Sequence, residues 1–519
     1  MKSKVRAGSS GVAAAAAALG VAELVAVLTG PTSAPLLAVG GVVVDNVPAP
    51  VKDFGIAVFG VHDKTALITG TAILLGAYAW LVGVVALRSW RLALGGIALF
   101  GLAGVAAAVT RHDAGWVASL PSVIGALVAV PVLRYLLNLA VIGEPAGARL
   151  GGPGVDVVDH ADSYPENSRR RFFKAAGIVV GVAAVGGIAG RLLTGRRSVS
   201  AAREEVTLPA ARSAAPAVPA GAQATGAVSY VTPNDDFYRI DTALFPPQVD
   251  PETWQLRIHG MVRNPITLSW EDLLQRPMLE RYVTLACVSN EVGGDLIGNA
   301  LWLGTPIKEL LDEADPLPGA DQVVQRSSDG WTCGTPTAVL RDGRDALLAV
   351  GMNGKPLPIK HGFPVRMVVP GLYGYVSACK WITEIELTRF SDFDAYWVPR
   401  GWSAQAPIKT QSRIDTPRDG AKRPAGAVMV AGVAWAQHTG IAKVEVQIDG
   451  QPWQPATLAG TVSSDTWRQW TFRWPDARPG EHAIRVRATD VTGYTQTSSP
   501  APPAPDGATG WHGVQVSIE

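Results

Sequence analysis

Hydrophobic and polar positions are unevenly spread along the chain. Up to about residue 193, Ala, Val, Gly and Leu form long apolar runs. Beyond it, charged and aromatic residues crowd in, including most of the 16 Trp. A helix that crosses a membrane needs roughly 20 apolar residues. Five stretches meet or approach that length: 11–28, 66–87, 92–110, 114–133 and 172–193. The apolar stretch 35–61 is interrupted by Asp45, Pro48, Pro50, Lys52 and Asp53, and reads as an interfacial or re-entrant loop. After Tyr230 the pattern changes to short runs. Residues 254–258 and 282–286 alternate with the period of two that strands show, and Ser269 followed by Glu271 and Asp272 starts a short helix. Mixed short strands and helices imply an α+β domain.

Towards the C-terminus the runs 428–434, 444–448, 470–474 and 482–489 are strand-like. Turns such as Asp449-Gly450 and Pro479-Gly480 separate them. About seven short strands with such turns predict an immunoglobulin-like β-sandwich. The expected division is a transmembrane anchor at 1–194, a flexible linker rich in Ala, Ser, Pro and Gly at 195–228, a catalytic domain at 229–400, and the sandwich at 401–519.

Charge sharpens the reading of the first half. Basic residues favour the cytoplasmic side of a membrane protein. Lys2, Lys4 and Arg6, then Arg88 and Arg91, then Arg134, Arg149 and Arg169–Arg171 fall on alternate connections. Five crossings then leave the second half outside the cytoplasmic membrane. Arg191, Arg196 and Arg197 count modestly against this. The string Ser168-Arg169-Arg170-Arg171-Phe172-Phe173-Lys174 (168–174) looks like a twin-arginine export signal, which hands over a folded domain. His62, His112 and His160 lie outside the spans, so no haem is expected in the helices. Glu23, inside the first span, reads as a carboxyl facing the bundle or as an ion site.

Across the whole chain 45 basic residues balance 44 acidic ones, which argues against nucleic acid as a partner. The three cysteines, Cys287, Cys333 and Cys379, have no CxxC spacing. Zinc and iron–sulfur sites are therefore not expected. Cys287 ends a β-branched strand and enters a polar, Gly-rich loop, where a rigid element can hold a metal ligand. A lone Cys is more often a small buried hydrophobe.

The surroundings of Cys287 resemble the sulfite-oxidase-fold family of molybdopterin oxidoreductases. The blocks are Thr232-Pro233-Asn234-Asp235-Asp236-Phe237-Tyr238-Arg239, Cys287-Val288-Ser289-Asn290, Asn299-Ala300-Leu301-Trp302-Leu303-Gly304, Met352-Asn353-Gly354-Lys355-Pro356, His361-Gly362-Phe363-Pro364-Val365-Arg366 and Lys380-Trp381. The resemblance implies that Cys287 binds molybdenum beside a single molybdopterin. It also implies that Asn234, Phe237, Tyr238, Arg239, Asn290, His361, Arg366 and Lys380 hold the cofactor. An arginine fork and a lysine point charge suit a phosphate. Cys333 and Cys379 have no ligand role in the pattern.

Two departures bear on the substrate. Glu291 stands where sulfite oxidases carry an anion-holding arginine, and Trp331 stands where they carry a tyrosine. A carboxylate repels an anion, and an indole cannot relay a proton as a phenol can. Both residues are candidates for the catalytic site. The implied activity is oxygen-atom transfer at a Cys-ligated molybdenum centre, with an external cytochrome or quinone-linked electron carrier. A methionine-sulfoxide reductase-like repair enzyme, sulfite oxidation and a non-catalytic binding protein remain as alternatives. The sandwich resembles the family's dimerisation domain, so a homodimer is left open.

Overall fold

The computed structural model describes residues 2–30, 33–47, 58, 63–110, 115–141, 166–196, 199–243 and 245–519. The chain divides into two compact units. One is Met1–Ser198 with Thr242–Phe245, and the other is Val199–Asp241 with Pro246–Glu519.

The first unit is helical: α1 (Lys2–Thr29), α2 (Pro35–Asn46), α3 (Asp63–Ala86), α4 (Trp90–Val109), α5 (Leu120–Val141) and α6 (Glu166–Arg196). Five helices among the described residues are long and apolar enough to cross a membrane: Ser3–Thr29, Ala66–Ala86, Trp90–Val109, Trp116–Ala140 and Arg170–Gly190. Small residues let α1 and α3 approach closely. A side chain at Gly11 or Gly83 would run into the backbone carbonyl of Ala79 or Ala7, the close approach by which apolar helices associate through van der Waals packing. Ala7, Ala14, Ala86, Ala93, Leu133 and Leu137 form one buried cluster at these contacts. The arginine-rich string opens α6 rather than a loop.

One expectation is corrected here. The start of the stretch read as a re-entrant loop is α2, a regular 12-residue helix with Pro35 at its first turn, where proline's missing N–H costs nothing. Its length, near 18 Å at about 1.5 Å per residue, is short of a bilayer core. Most of the remainder of that stretch, and His62, His112 and His160, lie outside the described residues.

The second unit begins with a short helix, α7 (Ser200–Glu205). The segment expected to be a flexible tether is bonded to its domain from here on. Arg203 donates to the carbonyls of Leu357 and Pro356, each at 2.6 Å. Arg212 N reaches Met278 O, and Glu280 N reaches Ser213 O. Ala222 is wholly buried, and Ala224 N donates to the Gln469 amide at 2.6 Å. Composition favoured a coil, but backbone groups and small apolar side chains found partners, and tertiary contacts decide such cases.

The α+β part contains β1 (Gln255–Gly260), β2 (Ile266–Ser269), α8 (Trp270–Leu274), β3 (Leu279–Ala286), β4 (Ile297–Pro306), α9 (Ile307–Ala314), β5 (Gln322–Ser327), β6 (Thr332–Pro336), α10 (Thr337–Arg341), β7 (Leu347–Met352), β8 (Lys355–Pro356), β9 (Arg366–Val368) and β10 (Ile382–Thr388). One sheet runs β2-β1-β10-β5-β6. The other runs β3-β4-β7-β8, with β9 on β7. Alternation along the second sheet sends Val283, Leu285, Ala300, Trp302, Leu347 and Ala349 to one face, against Phe237. Ala286, Leu348 and Val350 join the main core instead, as the two-residue period of a strand requires. Ser269 caps α8 in a reciprocal capping box with Asp272.

The sandwich comprises β11 (Gln411–Thr416), β12 (Ala421–Arg423), β13 (Gly426–Trp435), β14 (Ile441–Ile448), β15 (Gln454–Pro455), β16 (Thr457–Leu458), β17 (Arg468–Ala477), β18 (Gly480–Asp490) and β19 (His512–Ile518). Its sheets run β11-β13-β17-β16 and β12-β19-β18-β14-β15, with Val430, Val444, Val446, Trp470, Ile484 and Val486 between them. It is joined firmly to β3. Thr284 donates to Asn299, accepts from Trp467 N at 2.8 Å, and offers its carbonyl to Gln437.

Candidate functional site

The site grows from the end of β3. The last ladder pair is Ala286 with Ile297, and Cys287 N still reaches Leu296 O at 2.9 Å. The loop between β3 and β4 turns at Asn290, whose N–H donates to Cys287 O and whose Oδ1 accepts from Leu296 N at 2.8 Å. Asn290 Nδ2 is buried with no hydrogen-bond partner among the described residues. Cys287 is a free, buried thiol. Burial pushes its pKa up, against hydrogen bonds from the Ser289 backbone and side chain and the charge of Lys380.

Tyr238 lies near enough to this thiol for their charges to interact. Burial raises its pKa, the proximity of Cys287 adds to the rise, and Arg366 opposes it. Its ring stacks on Phe237 (5.2 Å, 22°), which meets Trp302 and His361 edge-on at 5.7 and 5.6 Å. A Cβ on Gly374 would lie 3.7 Å from the Ala286 carbonyl and 3.8 Å from the Tyr238 hydroxyl. The 373–376 segment therefore crosses over the end of the thiol strand.

Arg366 opens β9 and is 5% exposed. It donates to the carbonyls of Met367 and His361 and its guanidinium lies 5.0 Å over the Trp302 ring. Among the described residues no carboxylate pairs with it. Burial lowers its pKa to about 10. Lys380 forms a β-bridge with Arg366 and donates to Asp241 at 2.6 Å. Burial brings the lysine down to about 8, while Asp241 resists. Arg239 places its fork on the same carboxylate at 2.9 and 3.2 Å. His361 is bonded through Nε2 to Asn234 O at 3.0 Å, and burial beside Arg366 depresses its pKa to about 3. It is therefore a neutral imidazole at ordinary pH, with Nε2–H the donor to the carbonyl.

Most of the residues singled out in the sequence thus converge: Phe237, Tyr238, Arg239, Cys287, Asn290, His361, Arg366 and Lys380. Asn234 is at the edge, its amide engaged with Met352 O and Asn353, so its carbonyl serves His361. Glu291 is exposed at the loop. Trp331 is half-buried, packed on the main core in the β5–β6 turn, where its N–H bonds Asp329. No side-chain hydrogen bond or ion pair among the described residues ties either to the group. Cys333 and Cys379 are wholly buried in the core, and burial raises both thiols.

Sequence reading missed Asp241 and Ser289. Asp241 stands two residues after Arg239, a spacing that carries no signal of its own. Ser289 sits in a quoted block but was assigned no part.

Three cations around a single carboxylate, Arg366 with no acid partner among the described residues, a buried orphan donor and one thiol form a donor set for an anionic group with several acceptors. Among the described residues no cluster of three or more His, Cys, Asp or Glu could hold a metal ion, so a metal at Cys287 would need ligands from beyond the described residues.

The family described as oxidoreductase molybdopterin binding domain matches residues 243–397, and a bacterial Ig domain matches 411–486. Human mitochondrial sulfite oxidase is 29% identical over 324 residues, covering 53% of this chain and 58% of that protein. The chain thus spans less than two thirds of the sulfite oxidase it matches. The crystal structure of the sulfane dehydrogenase SoxCD from Paracoccus pantotrophus aligns with a TM-score of 0.49 and 22% identity, covering 56% of this chain and 83% of that one. The Bacillus subtilis oxidoreductase YuiH is 32% identical over 178 residues, covering 33% of this chain and 85% of that relative. With that relative matched over nearly its whole length, the chain belongs to the sulfite-oxidase-fold family of molybdopterin-dependent oxidoreductases.

Proposed function

We propose that this oxidoreductase transfers an oxygen atom at a molybdenum centre whose protein ligand is Cys287, in a domain held outside the cytoplasmic membrane by the apolar helices. The observation that carries the reading is the buried Arg366, a cation with no carboxylate partner among the described residues, in the same group as the free Cys287 thiol. A buried cation without a counter-ion is costly unless an anion arrives. The phosphate of a single molybdopterin would be that anion, held by Arg366, Lys380 and Arg239. Asn290 Nδ2 and the His361 ring, fixed by Asn234, would face the pterin, with Phe237 and Tyr238 as its aromatic wall. When bound, the cofactor supplies two-electron oxygen-atom transfer; the protein positions and tunes it.

Lys380 and the hydrogen bonds from Ser289 favour the Cys287 thiolate, the form that binds metal, against the burial that disfavours it. Tyr238, whose proton burial holds firmly, offers a hydroxyl near the end of the thiol strand. Glu291, exposed at the mouth of the loop, disfavours an anionic substrate. A neutral substrate of the sulfoxide type fits that carboxylate better than sulfite. Electrons pass to or from an external carrier.

The test is metal and pterin analysis of the full chain beside Cys287→Ser. Molybdenum near one per chain, with a thiolate-to-metal absorption band that Cys287→Ser lacks, supports the reading. A folded protein that takes up neither molybdenum nor pterin under ample cofactor supply refutes it.

A further inference from the structure

The loop that carries the thiol is gripped from the sandwich side by two side chains that no cofactor-binding role requires. Arg413, on β11, is only 7% exposed. Its Nη1 donates to the carbonyl of Gly294 at 2.7 Å, and its Nε is fixed by Asp415 at 2.7 Å. His512 opens β19. Its Nδ1 accepts from Ile414 N at 3.0 Å, which aims the other edge of the ring at Gly293. That glycine has φ +81°, and a side chain there would occupy the space the imidazole fills. Further along, a Cβ on Gly510 would lie 3.7 Å from Val292. The loop's inner side is tied to Cys287 through Asn290 and Ser289. The grip and the thiol are thus two ends of one short, bonded segment.

We infer that Arg413 and His512 are positioning residues of the thiolate site: by fixing Gly293 and Gly294 they set the direction of the Cys287 sulfur. The inference rests on the proposed ligand role of Cys287. It gives the sandwich a part in the thiolate site. Two anchors are needed because the segment is rich in glycine, whose backbone has more freedom than any other to restrain. A ligand held within fractions of an ångström depends on such supporting contacts. Neither residue reaches the reacting atoms in this account; each acts through the loop.

The experiment uses the full chain with Arg413→Lys, which keeps charge but loses the fork, and His512→Gln, which keeps a polar side chain but not the ring. Two signals are read: amide hydrogen exchange in peptides covering 288–296, and the Mo(V) paramagnetic resonance of loaded protein. Exchange in that loop should quicken by about tenfold or more, with peptides from β13 unchanged. The resonance should broaden or shift while molybdenum content stays within about twofold of wild type. Wild-type exchange and an unchanged resonance in both variants would overturn the assignment. So would failure of both variants to fold, which would make the two residues part of the sandwich's own stability. Cys287→Ser in parallel separates the cases. If it keeps the thiolate-to-metal band, the ligand reading itself has failed; if it loses the band while the grip variants change nothing, only the grip has failed.

Discussion

The Lys380 ammonium donates to Asp241 at 2.6 Å with both side chains at most 10% exposed, and the same carboxylate carries the fork of Arg239. One acid thus aligns two of the three cations assigned to the pterin phosphate. Without it the lysine would be surrounded by like charge, from Arg366 and Arg239, in a low-dielectric setting. Asp241→Asn should therefore lower Lys380 further below its present value of about 8. Cofactor retention on dialysis at pH 7 should fall, by roughly tenfold if one charge-assisted hydrogen bond is lost. Pterin fluorescence of the released fraction measures it.

Alkaline pH should act on the same lysine. Its pKa is lowered in the folded chain, so the charged form is disfavoured there and burying it costs stability below about pH 8. The sign for folding is that stability rises between about pH 8 and the ordinary lysine range. The sign for phosphate binding is opposite, because only the ammonium attracts the anion. Cofactor release should increase above pH 8 while the cofactor-free chain becomes no less stable on this account. A pH series that combines melting and release assays would separate the two.

Arg366→Met should part stability from loading. The cation is buried over Trp302 with no acid beside it among the described residues. Replacing such a group by an apolar one of similar length is often neutral or stabilising. The cofactor-free variant should melt at or above the wild-type temperature, yet bind pterin at least about tenfold more weakly. A lower melting temperature together with full pterin content would contradict the role given to Arg366.

His361 carries an acid-side signature. Burial and Arg366 hold its pKa near 3, down from the usual range. Between pH 6.5 and about 3 the unfolded chain therefore binds a proton that the folded chain refuses. Stability conferred by the neutral ring is full above pH 6.5 and is lost as pH falls towards 3. His361→Gln should be less acid-sensitive over that window, seen as a shallower fall of denaturant midpoint.

The segment before the catalytic domain gives a fifth contrast. A chain beginning at Ser229 lacks Arg203, Ala222 and the bond from Ala224 to Gln469. It should melt lower than one beginning at Val199, by roughly 2–4 °C for each kcal/mol lost. Equal melting temperatures would mean that those contacts are idle.

What the sequence made legible was what local chemistry writes plainly. The apolar runs foretold the long helices within a few residues at most ends, because length and hydropathy alone define them. Alternation located β1 and β3, and the quoted blocks located the residues that gather around Cys287. Most of the misreadings have one physical origin, partners that lie far away in sequence. The 199–228 segment looks like coil because its bonds go to Leu357, Met278 and Gln469, far away in sequence. Asp241 looks like any surface acid until Lys380 is folded against it. The loop at 35–61 was interpreted from its interrupting charges, although residues 35–46 contain only one, Asp45, near the helix end. The parts played by Arg413 and His512 were invisible for the same reason: a residue whose partner is a distant glycine carbonyl or a vacant Cα face leaves no local pattern.

The packing of His512 against Gly293 also orders events in time. At about 5–20 residues per second a ribosome needs roughly ten to forty-five seconds to travel from Cys287 to His512. During that interval the thiol segment exists without its outer grip, and the apolar helices have long been completed. The centre is therefore assembled last-in, by a strand that arrives after everything it steadies.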